Sequence, residues 1–185
     1  MPALADHVRP WSGTAYRHIP ADRGFDVRDL RYARRRAGGR WHWEGQPTLY
    51  LASDVGVAIG EFARHLALDR RGGPLPARRT VYELGVTLAR AVDLRDPAVL
   101  ALIGRDDAPA CWLDRRIARG VATFFRDSLD VGGLLVPSVV HLDEPRRYNV
   151  VVFLENLGEN PRSFLPRARK RATVEVEPMD DAAPR

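Results

Sequence analysis

The chain has 185 residues, of which 45% are hydrophobic and 29% charged, so it carries enough apolar content for a sizeable core and is not a largely disordered or fibrous polymer. Against the usual ~100–200 residues per domain, this length predicts one domain with short tails and leaves no room for a second of full size. The balance of 29 basic against 24 acidic residues, +5 in all, permits a polyanionic partner without identifying one.

Lys170 is the only lysine, which makes 28 of the basic residues arginine, and Cys111 is the only cysteine, which excludes a disulfide framework and a Cys-rich zinc site. The segment Met1 to Trp11 contains Asp6, His7 and Arg9 and lacks the apolar centre of a secretory leader. No run reaches the ~18 apolar residues of a spanning helix. The expected location is the cytoplasm, with no membrane partner.

Alternation over Thr14 to Ile19 predicts a first strand, followed by an arginine-rich connection from Arg23 that ends in Gly38-Gly39. Thr48 to Ala52 reads as a strand. Ser53 or Asp54 then caps a helix whose apolar positions Val55, Ala58, Ile59, Phe62 and Leu66 share one face. Arg70 to Arg78, with Gly72-Gly73-Pro74, predicts a surface loop, and the β-branched alternation of Thr80 to Leu88 a third strand.

Asp96 and Pro97 open a short helix that stops at Gly104. From Ala110 to Leu129 the spacing of Trp112, Ile117, Val121, Phe124, Phe125 and Leu129 predicts one amphipathic helix interrupted at Gly120. Leu134 to Val136 and Val150 to Leu154 are continuous apolar runs of the kind central strands show, and a polar loop from Leu142 to Tyr148 separates them. An edge strand is expected at Thr173 to Val176. The organisation read from this pattern is α+β, with a tail over 1–12, one domain over 13–165, and a basic then polar tail over 166–185.

The sequence has no P-loop, no HExxH, no GxSxG elbow and no GxGxxG opening a helix. Its five histidines, at 7, 18, 42, 65 and 141, lack ligand spacing, so no metal is expected. What remains are polar residues at strand ends. Arg17 lies inside the first strand, where an arginine either faces outward or meets an anion. Arg40 follows two glycines and precedes Trp41; such a segment either closes a guanidinium and a ring over a ligand or is a turn before a core tryptophan. Tyr50 ends a strand that feeds a helix, and Glu61 borders that helix's apolar face, where a glutamate taken alone is ordinarily solvated or paired with Arg64 or His65. Ser138 follows Pro137, either as a turn residue or as a hydroxyl at the mouth of a cleft.

Arg17, Glu61 and Ser138, with Gly38-Gly39-Arg40-Trp41-His42-Trp43-Glu44-Gly45-Gln46-Pro47-Thr48-Leu49-Tyr50-Leu51-Ala52 between the first two, resemble the RES domain family, named for its Arg, Glu and Ser. Val131-Gly132-Gly133-Leu134-Leu135-Val136-Pro137-Ser138 and Asn149-Val150-Val151-Val152-Phe153 are similar to its closing motif. His42-Trp43 departs from that pattern, which has smaller or more polar residues there.

The resemblance implies an ADP-ribosyltransferase-like fold of the diphtheria-toxin type, with two small, mainly antiparallel sheets and flanking helices around a cleft. It implies NAD as substrate, and a role as the toxin of a bacterial toxin–antitoxin pair whose partner is an Xre-type helix-turn-helix antitoxin. Glu61 and Arg17 are then the catalytic candidates, and Tyr50, Arg40, Ser138 and Asn149 the substrate-binding ones. A carboxylate beside the ribose suits an oxocarbenium-like transition state, a phenol ring suits the nicotinamide cation, and guanidinium groups suit the pyrophosphate. The acceptor stays open among inorganic phosphate, water and a protein side chain, so a protein mono-ADP-ribosyltransferase is an alternative. A non-catalytic nucleic-acid module, supported by clusters at Arg34 to Arg36 and Arg167 to Arg171, is the rival from another class; no direct nucleic-acid contact is expected except through the antitoxin.

Overall fold

Six strands hydrogen-bond into one sheet in the computed structural model, which describes residues 2–34, 38–68, 76–158 and 161–179. They are β1 (Arg9–Pro20), β2 (Thr48–Ala52), β3 (Ala77–Asp93), β4 (Gly133–Pro137), β5 (Tyr148–Phe153) and β6 (Arg167–Val176). With the helices α1 (Pro2–Ala5), α2 (Val55–Leu68), α3 (Pro97–Leu102) and α4 (Arg115–Ser128) they make an α+β domain. No helix among the described residues is long and apolar enough to cross a membrane.

The strand order is β1-β2-β5-β4-β3-β6, and β1 also pairs with β3, so the first five strands close on themselves while β6 extends the sheet from β3. The β3–β4 pair is parallel and the other pairs are antiparallel. The ring closes between β1 and β2 at Tyr16↔Ala52. The two small sheets that the family resemblance implied are thus replaced, among the described residues, by one connected sheet.

The closed ring sorts the apolar side chains to two sides, as the two-residue repeat of a strand requires. Leu135, Val150 and Val152 pack with Ala15, Leu49, Leu51, Leu84 and Leu88 in one cluster. Their neighbours Leu134, Val136, Val151 and Phe153 pack instead with Trp112, Ala118, Ala122 and Phe125 under α4. All of β4 is therefore buried, which is why its sequence is a continuous apolar run rather than an alternation.

The structure departs from the sequence reading at both ends and in one helix. Residues 9–12 and 167–176, read as tails apart from a short edge strand, belong to β1 and β6 and pair with β3. The charged, exposed side chains of β6 suit an edge strand, where they discourage pairing with other chains. The helix expected over 110–129 is two pieces. Ala110–Leu113 is a 3₁₀ turn, Asp114 is extended at φ −76 and ψ 113, and its side chain accepts the Arg116 N–H at 2.7 Å to start α4. Gly120 stays inside α4 without interrupting it. Arg35 and Arg36 of the first arginine cluster, residues 70–75 of the predicted loop, and residues 180–185 lie outside the described residues.

Candidate functional site

The ends of β2, β4 and β5 meet where the register sets Asn149 opposite both Ala52 and Val136. Helix α2 starts at this junction. Asp54 caps it by accepting the Val57 N–H at 2.9 Å, while Ser53 Oγ accepts the Tyr148 N–H at 3.0 Å and ties the helix start to β5. Val57 and Ala58 bury themselves against Ala52 and Tyr16. Glu61, one helical turn on, is carried by that face to the end of the sheet.

There Oε1 of Glu61 accepts three hydrogen bonds: from Ser138 Oγ at 2.7 Å, from the Val139 N–H at 3.2 Å and from Asn149 Nδ2 at 3.1 Å. Its other oxygen, Oε2, accepts none from the described residues. The carboxylate is thus fixed through one oxygen, and Glu61 lines a cavity of about 830 Å³, within the roughly 300–1,000 Å³ of small-molecule sites. Neither Arg64 nor His65 pairs with Glu61, contrary to the ordinary expectation for a border glutamate.

Arg17, Arg40, Tyr50, Glu61 and Asn149 all line this one cavity. Arg17 enters from β1 and donates from Nη1 to the Val27 carbonyl, which holds its guanidinium at the wall. Tyr50 projects from β2; its hydroxyl accepts the Trp41 N–H at 3.0 Å and shares a 2.8 Å hydrogen bond with His42 Nδ1. Arg40 Nη1 donates to the carbonyls of Trp112 at 2.6 Å and Leu113 at 2.9 Å. Burial and then the neighbouring guanidinium groups of Arg64 and Arg115 press the Arg40 pKa below its ordinary value, against the opposing pull of Glu61 and Tyr50.

Ser138 is placed differently from its sequence assignment. It is wholly buried and does not line the cavity, and its hydroxyl is spent on Glu61 while accepting the Val140 N–H at 3.3 Å. Its hydroxyl thus reaches the carboxylate and not the cavity. Trp41 does not close over the cavity as a lid: its ring is buried against Trp112, with centroids 5.2 Å apart, and only its backbone serves Tyr50.

Sequence reasoning missed His42, Arg64 and Arg115 as members of the site. His42 is buried beside Tyr50, and Gly39 makes room for both, since a Cβ there would stand 2.5 Å from the His42 ring and 2.7 Å from the Tyr50 hydroxyl. Arg119 Nε fixes this loop by donating to the Gly39 carbonyl at 2.7 Å. The appearance of His42 where the sequence pattern breaks was the available signal; Arg115 offered none, because its neighbours lie 75 and 51 residues away at Arg40 and Arg64. Among the described residues no group of three or more His, Cys, Asp or Glu is arranged to hold a metal ion.

Comparison with known proteins gives a match to the family model described as RES domain over residues 14–173. Among solved structures, the crystal structure of the M. tuberculosis MbcT–MbcA toxin–antitoxin complex contains a similar chain. The TM-score is 0.58 at 21% identity over 96% of this chain and 94% of that one, a likeness of fold. No curated protein matches.

Proposed function

The chain belongs to the RES domain family, and from that premise we propose that it is the toxin of a bacterial toxin–antitoxin pair and acts by cleaving the nicotinamide–ribose bond of NAD. The observation that carries the reading is the one-sided tethering of Glu61 at the wall of the cavity: three donors hold Oε1 and no described residue donates to Oε2. The similar chain comes from a toxin–antitoxin complex, which supports a protein partner here; an Xre-type helix-turn-helix antitoxin is the partner this reading expects. The same reading relates the closed sheet to the ADP-ribosyltransferase type of fold.

Glycosidic cleavage moves positive charge from the pyridinium onto the ribose. The C1′–N bond breaks with its electron pair passing to the ring nitrogen, which leaves as neutral nicotinamide. A carboxylate oxygen beside the sugar stabilises the oxocarbenium character that develops, and Oε2 of Glu61 takes this role. Ser138, Val139 and Asn149 hold it in place before the substrate arrives, so no reorientation is needed during the reaction. The Tyr50 ring faces the nicotinamide cation, and Arg17 and Arg40 hold the pyrophosphate or ribose oxygens. An oxygen of phosphate or water then forms the new bond to C1′, water losing its proton to solvent.

The test is NAD consumption by the purified chain with and without phosphate, with the ribosyl product identified. Phosphate-dependent formation of a ribosyl 1-phosphate denotes phosphorolysis, and ADP-ribose denotes hydrolysis. ADP-ribose attached to added protein would favour the protein-modifying alternative. No loss of NAD under any condition would overturn the proposal.

A further inference from the structure

Three guanidinium groups converge on the cavity from separate elements: Arg40 from the loop before β2, Arg64 from α2 and Arg115 from the start of α4. They are near enough that Arg64 and Arg115 both disfavour the charge on Arg40. Arg40 is anchored to two main-chain carbonyls, whereas Arg64 and Arg115 have neither a hydrogen bond nor an ion pair with any described residue. The carboxylate that favours the Arg40 charge is Glu61, whose Oε1 is already taken. A protein gains nothing in stability from gathering like charges around a hollow, and the repulsion is relieved when an anion enters.

We propose that Arg64 and Arg115, with Arg40 as the fixed third member, form a subsite for a tetrahedral phosphoryl oxyanion beside Glu61. Forked donors from three directions match the several oxygens of such a group better than a single lysine ammonium does. The subsite deepens the NAD reading, because two sources supply this chemistry: the pyrophosphate of the dinucleotide or free inorganic phosphate. A phosphate there stands next to the carboxylate assigned to the ribose, within the region from which an acceptor must reach C1′.

Calorimetric titration of the full chain with inorganic phosphate and, separately, with ADP tests this without requiring turnover. The double variant Arg64→Gln/Arg115→Gln is expected to weaken phosphate, ADP or both by about tenfold or more, each lost forked contact to a charged oxyanion being worth more than a neutral hydrogen bond. The neighbouring variant Arg116→Gln serves as the control for general charge loss and should change either affinity less than twofold. Circular dichroism establishes that the variants fold, and the single variants stand in if the double does not. Phosphate binding alongside ADP assigns the subsite to free phosphate; mutual exclusion assigns it to the pyrophosphate. Unchanged affinity in the double variant, or equal loss in Arg116→Gln, overturns the subsite. If the binding pattern appears but the chain consumes no NAD, the subsite stands and the NAD reading falls.

Discussion

Ser138 and Glu61 lie 77 residues apart in sequence and meet through a 2.7 Å hydrogen bond from the serine hydroxyl to the carboxylate. The serine is buried and the glutamate lines the cavity, so the serine stands behind the carboxylate. Glu61→Gln keeps the size and loses the charge, and is expected to lower NAD consumption by about 100-fold or more, with the fold retained. Ser138→Ala leaves the charge but frees it to move; kcat should fall by roughly tenfold with little change in KM, since misplacement affects the transition state more than binding. Steady-state kinetics on both variants reads the split. A Ser138→Ala enzyme with normal kcat would remove the serine from the mechanism.

Gly39 faces a different constraint. Its ordinary backbone needs no special conformation, but the space a side chain would need is occupied by His42 and by the Tyr50 hydroxyl. Gly39→Ala therefore displaces the phenol that accepts the Trp41 N–H. The expected outcome is a KM for NAD raised by ~10-fold, with a small change in melting temperature because the loop borders the cavity instead of the core. Tyr50→Phe, which keeps the ring and removes the oxygen, should reproduce part of this loss. Kinetics and melting curves on the two variants check the assignment.

The sequence made some of these relationships legible and hid others for physical reasons. The strand-to-helix unit of Thr48 to Leu66 was readable because local periodicity and a capping Asp54 both lie within it. Burial of β4 followed from its unbroken apolar run. The partner of Ser138 was not readable, because a turn after proline carries no mark of which helix lies opposite. The extent of β6 was hidden by its exposure: an edge strand that is exposed along nearly its whole length and carries arginines has no alternation to detect. The break at Asp114 left a signal, an aspartate ahead of Arg115-Arg116, but the apolar spacing of Trp112 and Ile117 suited a continuous helix equally well. The arginine subsite is assembled from three segments and no one of them announces it.

Arg126 carries its charge into the core under β5. Its side chain is 3% exposed, its Nε lies 3.1 Å from Glu155, its Nη2 donates to Thr48 Oγ1 at 2.7 Å, and its guanidinium stands 4.1 Å from the Phe153 ring centre. Burial lowers its pKa, while Glu155 works against that. Glu155→Ala removes the partner and leaves the cation buried, so it is expected to cost about 3 kcal/mol. Glu144→Ala, which breaks an exposed pair with Arg147 at 3.1 Å, should cost under about 1 kcal/mol. Urea denaturation of the two variants makes the comparison; equal costs would show that Arg126 is solvated through another route.

Cys111 gives a pH-dependent prediction independent of the cavity's chemistry. Burial, and then the charge and hydrogen bond of nearby Asp107, push its thiol from an ordinary 9.0 up to about 11. The folded chain thus holds this proton more tightly than the unfolded chain does. Its contribution to stability is complete below pH 9 and is lost as pH rises through 11, because the unfolded thiol ionises first and draws the equilibrium toward unfolding. Over that window the wild type should lose as much as about 3 kcal/mol relative to Cys111→Ala, in which the proton is absent from both states. The tighter hold on this proton makes the thiolate about 100-fold scarcer in the folded chain, so a disulfide reagent at pH 8 should react at least that much more slowly than in denaturant. Parallel pH profiles for wild type and Cys111→Ala would contradict this assignment, since other groups that titrate near pH 10 are common to both chains and cancel in the comparison.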